Sequence, residues 1–273
     1  MSKTTVIIAA IVVVVVIVAA VGAFFLLKGE DKDPNNVTFL VQDSSGVYFW
    51  IDGSGETVQD AFVDAFADYP AGTLVTSKYG VSTLFGVGTV QDIITLDYSW
   101  WGQFSWDGND WTYNSSVSMP SIKSSDIDYF LVIYGRGVMG GGIVVPDGTP
   151  TPEDAVVWNG STSGTVFTIA SPTGLYFKIN GSSSKSLIDA FNSACDKYKI
   201  PLVNTESAEY GQGIDSIYGL SMENIEGNWF YWAQYGVTGG VWTPTLEGMS
   251  SLKSADYPVF LVQYGGDTKS IPV

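Results

Sequence analysis

"SSGVYFWIDGSGETVQDAFVDAF" (residues 44–66) returns later in the chain as "PTGLYFKINGSSSKSLIDAFNSA" (172–194). Both copies read alike. A glycine turn leads into a short apolar run, a second glycine follows, and then the spacing becomes helical. In the first copy Val58, Ala61, Phe62, Ala65 and Phe66 recur at i, i+3, i+4, i+7 and i+8 and form one apolar helix face. Thr57, just before them, is a residue type that caps helix N-termini. Leu187, Ala190, Phe191 and Ala194 repeat the face. Upstream, "VTFLVQD" and "GVYFWIDG" flank "SSG", the pattern of a β-hairpin.

The similarity extends beyond this stretch. "SKYGVSTLFG" (77–86) parallels "AEYGQGIDSIYG" (208–219). "MPSIKSSDIDYFLVIYG" (119–135) matches "MSSLKSADYPVFLVQYG" (249–265). The chain therefore divides into a module over residues 36–146, a Pro/Gly/Ser/Thr-rich linker over 147–163, and a second module over 164–273. Each module is long enough to bury its own core. The order of elements predicts an α+β class of the β-β-α-β-β type, with one helix available to cover each sheet.

At this level the chain resembles the transcobalamin-like C-terminal domains of exported prokaryotic proteins. The residues that carry the resemblance are "TVQDAF", the "YG" that follows, "LFG" or "SIYG", a Trp-rich strand ending in a glycine turn, and a final D-x-x-x-F-L-V-x-Y. The last motif runs from Asp126 to Tyr134 and from Asp256 to Tyr264. The resemblance covers both repeats and implies tandem β-grasp-like modules. In vitamin-B12 carriers the corresponding domain helps close over cobalamin, so a corrinoid-like ligand is implied. The chain departs from the family pattern at "WGQFSWDG" and "WFYWAQYG", where W-x-Y-x-V-N-G is usual.

Residues 6–27, "VIIAAIVVVVVIVAAVGAFFLL", are uncharged and long enough to cross ~30 Å of hydrocarbon as a helix. They predict a signal anchor over residues 1–30, with the lipid bilayer as partner. The expected placement is a single pass in the cell membrane with the C-terminal region extracellular. Cleavage after Ala23 is the alternative. Four N-x-S/T sequons, at Asn36, Asn114, Asn159 and Asn180, are candidate glycosylation sites on an exported surface.

Charge and composition exclude several classes of function. All 28 acidic residues but only ten of the 12 basic ones lie after Gly29, so that part carries a net −18. A cationic surface for nucleic acid or anionic lipid is absent. The chain has no histidine, which excludes Ser-His-Asp and Cys-His catalysis and histidine-ligated metals. The single cysteine, Cys195, falls in the second helix, where the spacing makes it a small buried residue. "SSSK" (182–185) lacks the companions of a serine acylase, and "DGND" (107–110) reads as a hairpin turn rather than a calcium loop. No catalytic residue, metal site or cofactor is assigned.

"LDYSWWGQFSWDGNDWTYN" (96–114) holds four of the nine tryptophans. Aligning Gly108 with Gly236 pairs Trp101 with Trp229, Phe104 with Trp232 and Trp106 with Gln234; Trp111 pairs with Trp242 after a short insertion. Alternation along a strand places Tyr98, Trp100, Phe104 and Trp106 on one face, and Trp101 and Gln103 on the other, with Trp229 and Tyr231 as equivalents of the latter pair. Trp100 and Trp106, peculiar to the first module, are the leading ligand-binding candidates. Trp101, Trp229 and Tyr231 follow. The expected function is a membrane-anchored surface protein that uses aromatic surfaces to hold a small ligand, a glycan or a protein partner. The alternative is a structural or adhesive surface protein with no discrete ligand.

Overall fold

The computed structural model describes residues 34–92, 97–114, 118–138, 142–207, 211–245 and 247–265. The chain divides at Pro34/Asn35, and the unit Asn35–Val273 holds both repeats. The first repeat comprises β1 (Asn36–Gln42), β2 (Tyr48–Ser54), α1 (Val58–Ala65), β3 (Leu74–Ser77), β4 (Gly80–Leu84), β5 (Val87–Gly88), β6 (Val90–Gln91), β7 (Asp97–Trp106), β8 (Trp111–Tyr113), β9 (Tyr129–Val138) and β10 (Gly142–Ile143). The second comprises β11 (Thr165–Ala170), β12 (Tyr176–Gly181), α2 (Leu187–Lys197), β13 (Leu202–Ser207), β14 (Gly211–Ile217), β15 (Leu220–Ser221), β16 (Glu223–Ile225), β17 (Asn228–Thr238), β18 (Val241–Pro244) and β19 (Val259–Gly265).

The two main sheets have matching orders, β2-β1-β9-β7-β6 and β12-β11-β19-β17-β16. The central pairs β1/β9 and β11/β19 run parallel, and the β1/β2 and β11/β12 hairpins are antiparallel. Small antiparallel sheets, β3-β4-β5 and β13-β14-β15, complete each repeat.

The fold is mostly β, which corrects the expected α+β class. Strand makes up 48% and helix 14% of the described residues, with two α-helices. The helical segments are short, and stretches between helix and last strand that lack a clean period of two still pair as strands. These stretches are short and mostly exposed or half-exposed, so they carry no run of alternating apolar residues that would have announced them. Among the described residues no helix is long and apolar enough to cross a membrane. The anchor expected over residues 6–27 lies outside them.

Both helices start as the sequence indicates. The Thr57 hydroxyl accepts from Asp60 N–H while the Asp60 carboxyl accepts from Thr57 N–H, and Ser186 and Asp189 repeat the same reciprocal cap. Each helix then lays a phenylalanine on the sheet. Phe62 meets Phe39 edge-on at 4.9 Å, and Phe191 meets Phe167 edge-on at 5.0 Å. Phe130 and Phe260, on the last strands, stand 6.2 Å from the same rings. Edge-to-face geometry suits the ring quadrupoles. Cys195 is fully buried in this layer, and burial pushes its thiol well above the ordinary range. The helices approach closely because Gly53 and Gly181 have no side chain; a Cβ there would run into the carbonyl oxygen of Ala61 or Ala190.

The registers also correct the pairing of tryptophans. Trp101 lies opposite Tyr134, and Trp232 lies opposite Tyr264. The Trp101 indole N–H donates to Val87 O at 2.8 Å and that of Trp232 to Leu220 O at 2.7 Å. Each indole sits 5.2 Å from its tyrosine ring. Trp232, not Trp229, is thus the counterpart of Trp101. Gly108 lies in a turn with φ +102°, whereas Gly236 lies inside β17. The true counterpart of the first turn is Gly239–Gly240, so an alignment anchored on the wrong glycine slips by three residues. "DGND" is the turn expected: the Asp107 carboxyl accepts from the backbone of Asn109 and Asp110 and from the Thr112 hydroxyl. These bonds, that from Asp110 foremost, hold its pKa below the usual carboxylate value.

Two outcomes follow from this packing. Replacing Gly53 or Gly181 by Ala forces a helix off its sheet and should destabilise the protein by about 1–3 kcal/mol in urea unfolding. Tyr264 donates to Ser221 O and Glu223 Oε1, and burial, reinforced by Glu223, pushes its phenol up to about 12 from 10.0. The folded state therefore keeps a proton that the unfolded chain gives up first. Stability from this group should be intact below pH 10 and fall as pH rises from 10 through 12. Alkaline titration of Tyr264→Phe should show a weaker decline.

Candidate functional site

The two repeats meet through their first hairpins, and the contacts are reciprocal. Phe49 of β2 stacks on Phe177 of β12 at 5.2 Å with the planes 8° apart. These residues occupy equivalent positions, so the stack marks a local pseudo-two-fold axis. Tyr48 packs edge-on against Tyr218 at 4.7 Å, and its equivalent Tyr176 packs edge-on against Phe85 at 5.0 Å. Phe85 and Tyr218 each open a two-residue hairpin turn with positive φ, 51° and 56°. Bulky residues are costly there, and the ring contacts across the boundary offset the strain.

At the hairpin turns Asp43 joins both repeats. Its Oδ1 accepts from Ser45 N–H (2.9 Å), the Ser45 hydroxyl (2.6 Å) and Val47 N–H (3.1 Å). Its Oδ2 accepts from the hydroxyls of Ser171 (2.6 Å) and Thr173 (2.5 Å). One carboxyl thus closes its own turn and holds the opposite one.

A pseudo-two-fold arrangement creates two equivalent clefts, each between the outer face of one sheet and the helix end of the other repeat. One cleft is filled. The segment after β9 folds back over the first sheet, and Ile143, Val145, Ala155 and Val157 cover Leu40, Trp50, Phe104, Leu131 and Ile133. Near Tyr48, Val156, Trp158, Tyr198 and Tyr218 only about 20 Å³ is left empty.

The equivalent cleft is open, with a volume of about 690 Å³. Its walls are Tyr176, Phe177, Lys178, Thr168, Leu261 and Trp242 from the second repeat, Phe49 to Asp52 of β2, and Asp64, Ala65, Asp68, Tyr69 and Pro70 from the end of α1 and the turn after it. Linker residues Val157 to Gly160 close one side. The sequence differs where the cleft differs. The registers place Thr168 where the first repeat has Leu40, Lys178 for Trp50, Tyr235 for Phe104 and Gln263 for Ile133. Four apolar positions of a covered face have become polar or amphipathic on this one.

The cleft mixes rings with polar groups of both kinds. Lys178 Nζ stands 5.7 Å from the Trp158 ring centroid, a cation–π contact, and Trp158 Nε1 donates to Ser161 O. Asp52, Asp64 and Asp68 are exposed at the rim. The Trp50 indole N–H lies away from the cleft opening, buried in the outer core of the first sheet, and has no hydrogen-bond partner. Burial raises the Tyr69 phenol, with Tyr176 adding to the effect, and burial raises Tyr176 as well. Both stay neutral at physiological pH and can donate and accept. Among the described residues no group of acidic or cysteine side chains could hold a metal ion.

The candidates named from sequence lie elsewhere. Trp106 is half-buried and packs on Trp111 at 5.1 Å, while Trp111 donates to Pro150 O. Trp100 is half-buried against the outer core of the first sheet. Trp101 is buried. Trp229 is exposed at 52% and Tyr231 half-buried, both on β17. None of the five lines the cleft. Its main aromatic, Trp158, stands in the linker, in "VVWNG", and Lys178 replaces Trp50 within the aligned repeat. Those two departures from the repeat were the available signal. Of the sequons, Asn159 is exposed, and Asn36 and Asn114 are half-buried. Asn180 is buried, donates to Ser163 O and accepts from Lys197 Nζ and Tyr198 Oη, so its amide does not face solvent.

No protein-family model matches the chain, and no curated protein matches it. The resemblance noted above rests on the quoted motifs alone.

Replacing Asp43 by Ala leaves donors from both hairpins without their acceptor and should cost about 3 kcal/mol in urea unfolding, with Asp43→Asn costing less. A loss in Asp43→Ala no larger than that in Ser45→Ala, together with no loss in Ser171→Ala, would show that the carboxyl does not join the repeats.

Proposed function

We propose that this chain is a binding protein that holds one small organic ligand in the open cleft between its repeats. The single observation that carries the reading is the inequality of two equivalent clefts, one filled by the linker and one left open at about 690 Å³. That volume lies in the range of small-molecule sites, and a concave, ring-lined wall with a few polar groups is their usual make-up. The polar substitutions on the open face support it, since solvent exposure alone gives no reason for retaining Trp158, Trp242, Tyr69 and Tyr176 around one space. The apolar stretch 6–27 would tether this unit to a membrane, facing outward.

Titration of the full chain with a corrinoid, neutral oligosaccharides and quaternary ammonium compounds tests the reading. One class should change the tryptophan fluorescence saturably and raise the melting temperature with concentration. Trp158→Ala should weaken that response about tenfold or more, and Trp229→Ala should leave it intact. Absence of a saturable response to every class, or a response lost in Trp229→Ala alone, would sink the proposal.

A further inference from the structure

We infer that the ligand of the open cleft is a short extended peptide with basic side chains. The inference rests on the binding role proposed above and assigns its ligand class. The filled cleft supplies the pattern, because its filler is itself a peptide segment. Ala155 to Trp158 form neither helix nor ladder there, and their side chains alternate. Ala155 and Val157 pack on the outer core of the first sheet, while Val156 and Trp158 pack on the main core that runs through both repeats. Such alternation is that of an extended chain with both faces in contact. The acidic residues just before it meet an ammonium group. Lys199, two residues past α2, donates from Nζ to Glu153 O and to Asp154 Oδ1, each at 3.0 Å. An acidic extended segment thus lies beside a basic wall.

The open cleft has equivalent walls with the charge inverted. The reciprocal caps at Thr57 and Ser186 put the two helices in register, and Phe49 and Phe177 do the same for the hairpins. On that register Asp52, Asp64 and Asp68, at the rim of the open cleft, stand at the positions of Asn180, Ser193 and Lys197 in the second repeat. An amide, a hydroxyl and an ammonium group have become three carboxyl groups. Lys197 Nζ is spent on Asn180 Oδ1. Asp52 and Asp64 each accept from the protein on one oxygen, from the Thr38 hydroxyl and from Ser54 N–H, and leave the other open. Basic side chains of an extended segment satisfy these groups. Its apolar side chains lie on Tyr69 and Tyr176, as Val156 and Trp158 lie beside the equivalent rings of Tyr198 and Tyr48. Lys178, the basic residue of this wall among the described residues, can donate to a backbone carbonyl, as Lys199 does to Glu153 O. A small organic cation meets the carboxyl groups but offers Lys178 no acceptor. A neutral ligand leaves the inverted charges unmatched.

The test is calorimetric titration of the full chain with the acetylated, amidated tetrapeptides VKVK, VQVQ and VEVE, and with tetraethylammonium, cellotriose and cyanocobalamin. VKVK should bind saturably, about tenfold or more tighter than VQVQ, and weaken as salt rises. Tetraethylammonium should bind more weakly than VKVK and compete with it, and VEVE should not bind. The double variant Asp64→Ser, Asp68→Lys gives two exposed positions the residues of the second repeat. It should reverse the order, so that VEVE binds tighter than VKVK. A variant that merely misfolds cannot gain that binding. Equal binding of VKVK and VQVQ, or a double variant that still prefers VKVK, overturns the peptide assignment. A dimer in sedimentation that VKVK dissociates makes the occupant a second copy and overturns it too. Tetraethylammonium, cellotriose or cyanocobalamin binding tighter than every peptide, and weakened by Trp158→Ala, overturns the peptide and leaves the binding role standing. No binding by any probe overturns both.

Discussion

The organisation of the molecule depends on how two equal hairpins are joined. A single carboxyl, Asp43, accepts three hydrogen bonds from its own turn and two from the opposite turn. Beside it Phe49 and Phe177 lie face to face. Hydroxyl and amide donors around a buried carboxyl are directional, and stacked rings tolerate little tilt, so the two contacts fix the angle between the repeats. The buried cores of both repeats then run into one cluster across the junction, from Phe39 and Phe62 on one side to Phe167 and Phe191 on the other.

A two-fold junction of this kind makes everything in pairs, and a single chain breaks the pairing at one place. The linker leaves the end of the first repeat and must travel to the start of the second. On the way it seals the outer face of the first sheet, with Trp111 donating to Pro150 O. Among the described residues no such segment separates the second sheet from its cleft, and Thr168 and Lys178 have taken the places of Leu40 and Trp50 there. Asymmetry in covalent connection has become asymmetry in chemistry. A ligand site at the junction of repeats is the result, and it needs no residue to be strained for catalysis.

Much of the local structure was legible in the sequence. Thr57 and Ser186 cap helices whose apolar spacing was plain, and the β1/β2 and β11/β12 hairpins pair as their glycine turns required. The fold class was not legible, because β3 to β6 and β13 to β16 carry no alternation. They are short and mostly exposed or half-exposed, β6 and β16 exposed at every residue, and a strand with no buried face needs no apolar alternation. The register of the tryptophan strand was misread for a simpler reason. Glycine serves as turn at Gly108 and as in-strand spacer at Gly236, where Tyr257 presses close, and the letter is the same in both uses.

What the sequence determined by itself is the repeat, the two capped helices, the hairpins and the acidic, histidine-free surface, since each follows from spacing or composition within a few residues. What only the tertiary structure decided is which aromatic rings are scaffold and which line a space. Trp101 and Trp232 are consumed by hydrogen bonds to Val87 and Leu220, while Trp158 reaches the cleft from a linker. A cavity is the volume left between elements distant in the chain, here β2, the end of α1, the linker and the second sheet. Its position is set by the angle at which Asp43 and the Phe49–Phe177 stack hold them, and a side chain's own neighbours in sequence carry no record of that angle.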